Sequence, residues 1–72
     1  MKTRIKSNSE VILSSMIRRG LRPQDVARET GLDIYQVARV SNADKGISAG
    51  TAGKLVAVFG ADAVTISPAA QV

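Results

Sequence analysis

Cysteine and histidine are both absent from this chain. Together these absences remove disulfides, thiol nucleophiles, zinc-finger sites and imidazole catalysis. The acidic residues do not fill the gap. Asp25, Glu29, Asp33 and Asp44 belong to no nucleophile–base set, metal cluster or phosphate loop, and they read as capping and surface charges. An enzyme is therefore not expected, and neither is a cofactor or a metal. Also lacking is any apolar run long enough to span a bilayer, and Met1 to Lys6 is not followed by the apolar core of a signal peptide. The expected location is cytoplasmic, with no membrane partner. No internal repeat, linker or low-complexity segment breaks the chain.

What is present suits one small folded domain. Of the 72 residues, 44% are hydrophobic, which is ordinary for a folded protein and argues against disorder away from the ends. A domain this short buries a modest fraction of its surface, so association with a second copy is a natural supplement. Ten Lys and Arg against six Asp and Glu give a net charge of +4. That balance, with a pI near 10.1, favours a polyanionic partner, although a small basic domain can be simply soluble.

The most informative stretch is Arg22 to Val40, RPQDVARETGLDIYQVARV. Pro23 suits the first position of a helix, where its missing N–H costs nothing and its φ is already helical. Val26 and Ala27 supply the apolar side of that helix, and Thr30-Gly31 ends it, because glycine tolerates the left-handed conformation of a helix stop. Asp33 then opens a second helix as N-cap, with Gln36 completing a capping box. Val37 and Val40 form an apolar edge at a spacing of three, while Ile34, Tyr35, Gln36 and Arg39 point elsewhere. Small Ala27 falls where two crossing helices approach most closely. Two short helices joined by a glycine-containing turn have the helix-turn-helix geometry.

The flanks supply the remaining elements. Residues 1–6 are open between a frayed, solvated terminus or short edge strand and a basic arm that touches phosphate or enters a minor groove, with Lys2, Arg4 and Lys6 on one face if extended. Ser7 and Glu10 match the N-cap and N3 of a capping box, predicting a helix from Asn8 to Arg19 with a buried stripe of Ile12, Leu13, Met16 and Ile17 and with Val11 at its margin. Arg18 and Arg19 complement the helix dipole in the last turn, and Gly20 ends it. Ser41 to Gly46 is a polar turn whose Lys45-Gly46 is open between offering a cation and an unencumbered backbone N–H to a phosphate and serving only as a turn. A further helix is expected over Ile47–Phe59, capped by Ser48, with Leu55, Val56, Val58 and Phe59 as core candidates. Its Gly50 and Gly53 permit close packing at a cost of roughly 1 kcal/mol each relative to alanine. Ala63 to Ser67 is rich in β-branched residues and predicts a short strand, which must pair with the N-terminal strand or with its counterpart in a second chain. Residues 68–72 are expected to be disordered.

The stretch GLRPQDVARETGLDIYQVARV resembles the Cro/C1-type (XRE-like) helix-turn-helix of phage repressors, antitoxins and small bacterial regulators. Val26-Ala27 matches the family's Leu-Ala pair, Gly31 its turn glycine, Leu32 the apolar residue after it and Val37 the Ile/Val of the recognition helix. KLVAVFGA resembles the end of the following helix, with Phe59-Gly60 in place of Leu-Gly, and the similarity covers Ile12 to Ile66. The resemblance implies a mainly α, four-helix, lambda-repressor-like domain over residues 7–60. A short C-terminal strand over residues 61–67 would help dimerise it through Val64 and Ile66, with an N-terminal strand as an open alternative.

It also implies major-groove reading by Ile34, Tyr35, Gln36 and Arg39. Gln36 can read adenine, Arg39 can read guanine or hold a phosphate, and the Tyr35 ring can meet a thymine methyl. Ile34 departs from the usual polar residue, so its two readings are a methyl contact and burial against a neighbouring helix. Pro23 stands where the family often has a phosphate-gripping Gln, leaving Arg22, Gln24 and the backbone amides for that task, with Lys45 as a further phosphate contact. The implied partners are double-stranded DNA and a second copy of the chain, and the implied role is a dimeric repressor. Members of such folds also act as antitoxins or antiactivators by gripping a partner protein. In that alternative, Ile34, Val64 and Ile66 form an apolar docking surface.

Overall fold

The computed structural model describes residues 3–68. Met1, Lys2 and residues 69–72 of the expected tail lie outside the described residues. The order is β1 (Thr3–Ser7), α1 (Ser9–Arg19), α2 (Pro23–Thr30), α3 (Ile34–Asn42), α4 (Ala49–Phe59), a 3-10 turn (Ala61–Ala63) and β2 (Val64–Pro68). The domain is mainly helical, with four helices and a short strand at each end, as expected. No helix among the described residues is long and apolar enough to cross a membrane.

Local chemistry sets most boundaries. Gly20 and Gly31 close α1 and α2 at φ of 66° and 77°, the left-handed region that a side chain disfavours. Pro23 occupies the first turn of α2, where the Asp25 carboxylate accepts the Arg22 backbone N–H at 2.9 Å. Asp33 caps α3 by accepting the Gln36 amide at 2.9 Å, and Ser48 caps α4 by accepting the Thr51 amide at 3.3 Å. The turn between α2 and α3 is tied by Thr30, whose hydroxyl donates to the Val26 carbonyl and accepts the Leu32 amide. Arg19 joins three helices, pairing with Glu29 of α2 at 3.2 Å and donating to the Val58 carbonyl of α4.

The core gathers Ile12, Met16, Val26, Leu32, Val37, Val40, Leu55 and Ala63, with Leu21, Ala27, Ile47, Phe59 and Val64 packed at its edge. Val37 and Val40 are therefore the inward edge of α3, as their spacing predicts. The stripe expected on α1 is half right. Ile12 and Met16 are buried with Ser15, whereas Leu13 is 44% and Ile17 72% exposed. At about 3.6 residues per turn, Leu13 and Ile17 each lie a quarter-turn beyond the buried pair, on a side that the described residues leave exposed. In α4, Leu55 is fully buried while Val56, Val58 and Phe59 are only partly so. A side chain added at Gly53 would meet nothing within 4 Å, so this glycine serves no close packing.

The strands pair within the chain. β1 and β2 run antiparallel with Arg4 opposite Ser67, Ile5 opposite Ile66, Lys6 opposite Thr65 and Ser7 opposite Val64. The other edge of β1 is held by the 45–47 segment, through Ser7 N–H to the Lys45 carbonyl at 2.8 Å and Ile47 N–H to the Ile5 carbonyl at 2.9 Å. Ala63 closes the 3-10 turn and is fully buried, so the strand begins one residue later than expected and takes in Pro68.

Ser7 is not the cap of α1. It is fully buried at the end of β1, its hydroxyl accepting the Lys45 amide at 2.9 Å, and is thus unavailable to the helix. The N-cap is Asn8, whose side chain makes no capping bond. The free amide of Ser9 is satisfied instead by Asp44, whose Oδ1 accepts it at 2.9 Å.

Candidate nucleic-acid interface

With Val37, Val40 and Ser41 turned inward, α3 presents Ile34, Tyr35, Gln36, Arg39 and Asn42 outward. Tyr35 is 79% exposed and Ile34 45%, so the burial reading of Ile34 does not hold. Gln36 and Arg39 lie on the flank of α3 that faces the start of α4. There they line an open cleft of about 250 Å³ together with Val40, Lys45, Gly46, Ser48 and Thr51. Three of the residues singled out in the sequence, Gln36, Arg39 and Lys45, are thereby brought to one place. Ile34 and Tyr35 share the helix but not the cleft.

The cleft suits an anion. Arg39 and Lys45 are its cations, Gln36, Ser48 and Thr51 its neutral polar groups, and the positive end of the α4 dipole opens onto it. No carboxylate lines it. Lys45 projects from a rigid root, because its amide and carbonyl are both bonded by Ser7 and the preceding Asp44 is fastened to Ser9. A cation on a fixed backbone loses less freedom when it meets its partner than one on a free loop.

Asp44 itself sits near the cleft but is already engaged. The Ser9 backbone amide, then the Ser9 hydroxyl, and more weakly the Lys6 charge hold its carboxyl below the usual aspartate range. Asp25 is lowered in the same way, first by the Arg22 amide and then by the Arg22 side chain, with burial opposing both.

Arg22 and Gln24, the other expected phosphate contacts, stand at the exposed start of α2 and do not line the cleft. The Arg22 guanidinium lies 3.4 Å from the Asp25 carboxylate, which partly neutralises it. Val64 is half-buried against the core of its own chain and Ile66 is 64% exposed on β2.

Sequence reasoning did not assemble the full extent of the basic surface. A second open groove, of about 410 Å³, is lined by Arg4, Ile5, Lys6, Gly46 and Ile47. Gly46 and Ile47 border both depressions, so a continuous track runs from Arg39 past Lys45 to Lys6 and Arg4. Arg4 and Lys6 are both exposed, on the face of β1 opposite the buried Ser7. Their alternation was visible in the sequence, but the bridge between Lys6 and Gly46 that joins them to the cleft was not. Ser48 was likewise legible only as the cap of α4, and Thr51 is placed in the cleft by the fold.

This is a class of fold and surface, a small four-helix domain closed by a terminal ribbon and carrying one polar, cationic cleft beside an exposed helix. No protein-family model, curated protein or solved structure matches the chain.

Proposed function

We propose that this chain is a Cro/C1-type, sequence-specific DNA-binding transcriptional regulator that works in the cytoplasm as a dimeric repressor and has no enzymatic activity. The observation that carries this reading is the convergence of Gln36, Arg39 and Lys45 in one carboxylate-free cleft at the start of α4. With α3 in the major groove, Tyr35, Gln36 and Arg39 reach base edges, Gln36 favouring adenine and Arg39 guanine. Lys45 and the start of α4 take a neighbouring phosphate, and Arg22 and Gln24 at the start of α2 take another. Arg4 and Lys6 extend the phosphate contacts along the duplex. Two copies on a pseudo-palindromic operator place their recognition helices about 34 Å apart. Repression follows from occupancy, since a protein seated on a promoter excludes polymerase.

Fluorescence anisotropy with duplexes from the promoter region of the protein's own locus and with random duplexes of equal length tests the reading. Tighter binding to the locus duplex at moderate salt is expected. Equal affinity for both removes the claim of sequence specificity.

A second reading has its own support in the exposure of Ile34, Tyr35 and Ile66. In it the fold acts as an antitoxin or antiactivator, and its main partner is a protein. Arg39→Ala discriminates between the two: it weakens binding to the preferred duplex and impairs function together in the first reading and leaves function intact in the second.

A further inference from the structure

The exposed face of α1 belongs neither to the core nor to the basic track. Glu10, Leu13, Ser14, Ile17 and Arg18 fall on one side of this helix and are all exposed, Ile17 at 72%. Of the five exposed large hydrophobic residues in the described chain, Leu13 and Ile17 form the only aliphatic pair spaced four apart on one helix.

We infer that this face is where a second copy of the chain docks, α1 lying antiparallel against α1 across a twofold axis near Ser14. Three observations select a second copy over other occupants. First, the face is self-complementary, because Glu10 and Arg18 lie equally far from Ser14 on either side. Antiparallel packing sets each Glu10 against the partner copy's arginine at that position and returns the same contact on the other side, as an isologous interface requires. Neither Glu10 nor Arg18 belongs to an ion pair of the described residues, which are Arg19–Glu29 and Arg22–Asp25. The same packing brings Leu13 of one copy beside the isoleucine of the other, offset by two residues, about 3 Å, along the helix. Second, the centre of the face is small and already satisfied. The Ser14 hydroxyl donates to the Val11 carbonyl at 3.1 Å, so burying it strands no donor while letting the two backbones approach. Third, the face is locally neutral on a chain of net charge +4, so two copies meet where their like charges oppose each other least.

Association through α1 does not require DNA binding and stands or falls separately from it. None of its residues lines the cleft or the groove of the basic track.

Sedimentation velocity on the full chain across a concentration series tests the inference, with circular dichroism melts showing that each variant folds as the parent does. The parent is expected to dimerise reversibly. Ile17→Asp, outside the core, should raise the dissociation constant about a hundredfold, because a twofold contact carries every change twice. Glu10→Arg and Arg18→Glu should each weaken the dimer about tenfold, and the two together should restore the parental association, since opposite charges again face each other. A parent that stays monomeric overturns the inference. So does a double variant no better than its singles, or a dimer that survives Ile17→Asp and is lost on Ile66→Asp in β2.

Discussion

The Asp44 carboxylate accepts both the amide of Ser9, at 2.9 Å, and its hydroxyl, at 2.8 Å, so a loop 35 residues away caps the first helix. The same loop carries Lys45 into the cationic cleft. The start of α1 and the placement of a candidate phosphate ligand are therefore one structural unit.

That unit is sensitive to acid in a defined direction. The Ser9 bonds hold the Asp44 carboxyl below its ordinary range, so its contribution is fully present above the unfolded value of about 4 and is lost as the pH falls through the lower folded value. Asp25, lowered by the Arg22 amide, acts in the same sense at the start of α2. Urea denaturation of the parent and of Asp44→Asn should show the parent more stable at neutral pH, with the gap closing as the pH drops below about 4. A gap that stays constant with pH would mean that the ionised carboxylate is not what caps the helix.

Ser7 is the buried counterpart of this clamp. Its hydroxyl accepts the Lys45 amide at 2.9 Å, and its own amide donates to the Lys45 carbonyl. Ser7→Ala removes the side-chain partner of the Lys45 N–H in a part-buried site, which should cost about 1 kcal/mol of stability. The loss should appear in urea denaturation together with faster hydrogen exchange at the Lys45 amide. Unchanged exchange there would show that the loop is held by other contacts.

Gly53 offers a change of opposite sign. It lies within α4, is exposed, and a side chain there would meet nothing within 4 Å. Gly53→Ala should raise stability by about 1 kcal/mol, because alanine has less backbone freedom to lose. A shift of the urea midpoint upward at constant slope is the expected record of it, and a downward shift would point to packing at this position.

What could be read from the chain divides by distance along it. Pro23, Gly31, Asp33 and Ser48 mark helix ends through neighbours within a few residues, and each stands at or beside the boundary it indicates. The inward valines of α3 were legible for the same reason. Ser7 has the right residue type and spacing for a cap, yet burial against a distant loop takes its hydroxyl away, and the capping group comes from Asp44 instead. Leu13 and Ile17 repeat the spacing of Ile12 and Met16, and only the position of the other helices decides which pair is covered. On the candidate site, Gln36 and Arg39 could be placed from α3 alone, whereas their joining to Lys6 and Arg4 depends on the strand pairing around Gly46. Nothing local to residues 4–6 encodes that juxtaposition.

The two parts of the basic track should separate in their dependence on sequence and on salt. Arg39 lies on the α3 flank within reach of base edges in the proposed complex, so Arg39→Ala should cost about 1–3 kcal/mol on the preferred duplex and much less on random DNA. Arg4 and Lys6 sit on a strand beyond the cleft and, in the proposed complex, would bring only charge to the duplex. Replacing both with glutamine should weaken binding to all duplexes alike and reduce the slope of log affinity against log salt by about 2, one for each phosphate contact removed. Both positions are exposed, so the fold should be unaffected. Anisotropy titrations of preferred and random duplexes at several salt concentrations read the two quantities at once. If the double variant keeps the parental slope, β1 lies off the nucleic acid and the contact surface ends at Lys45.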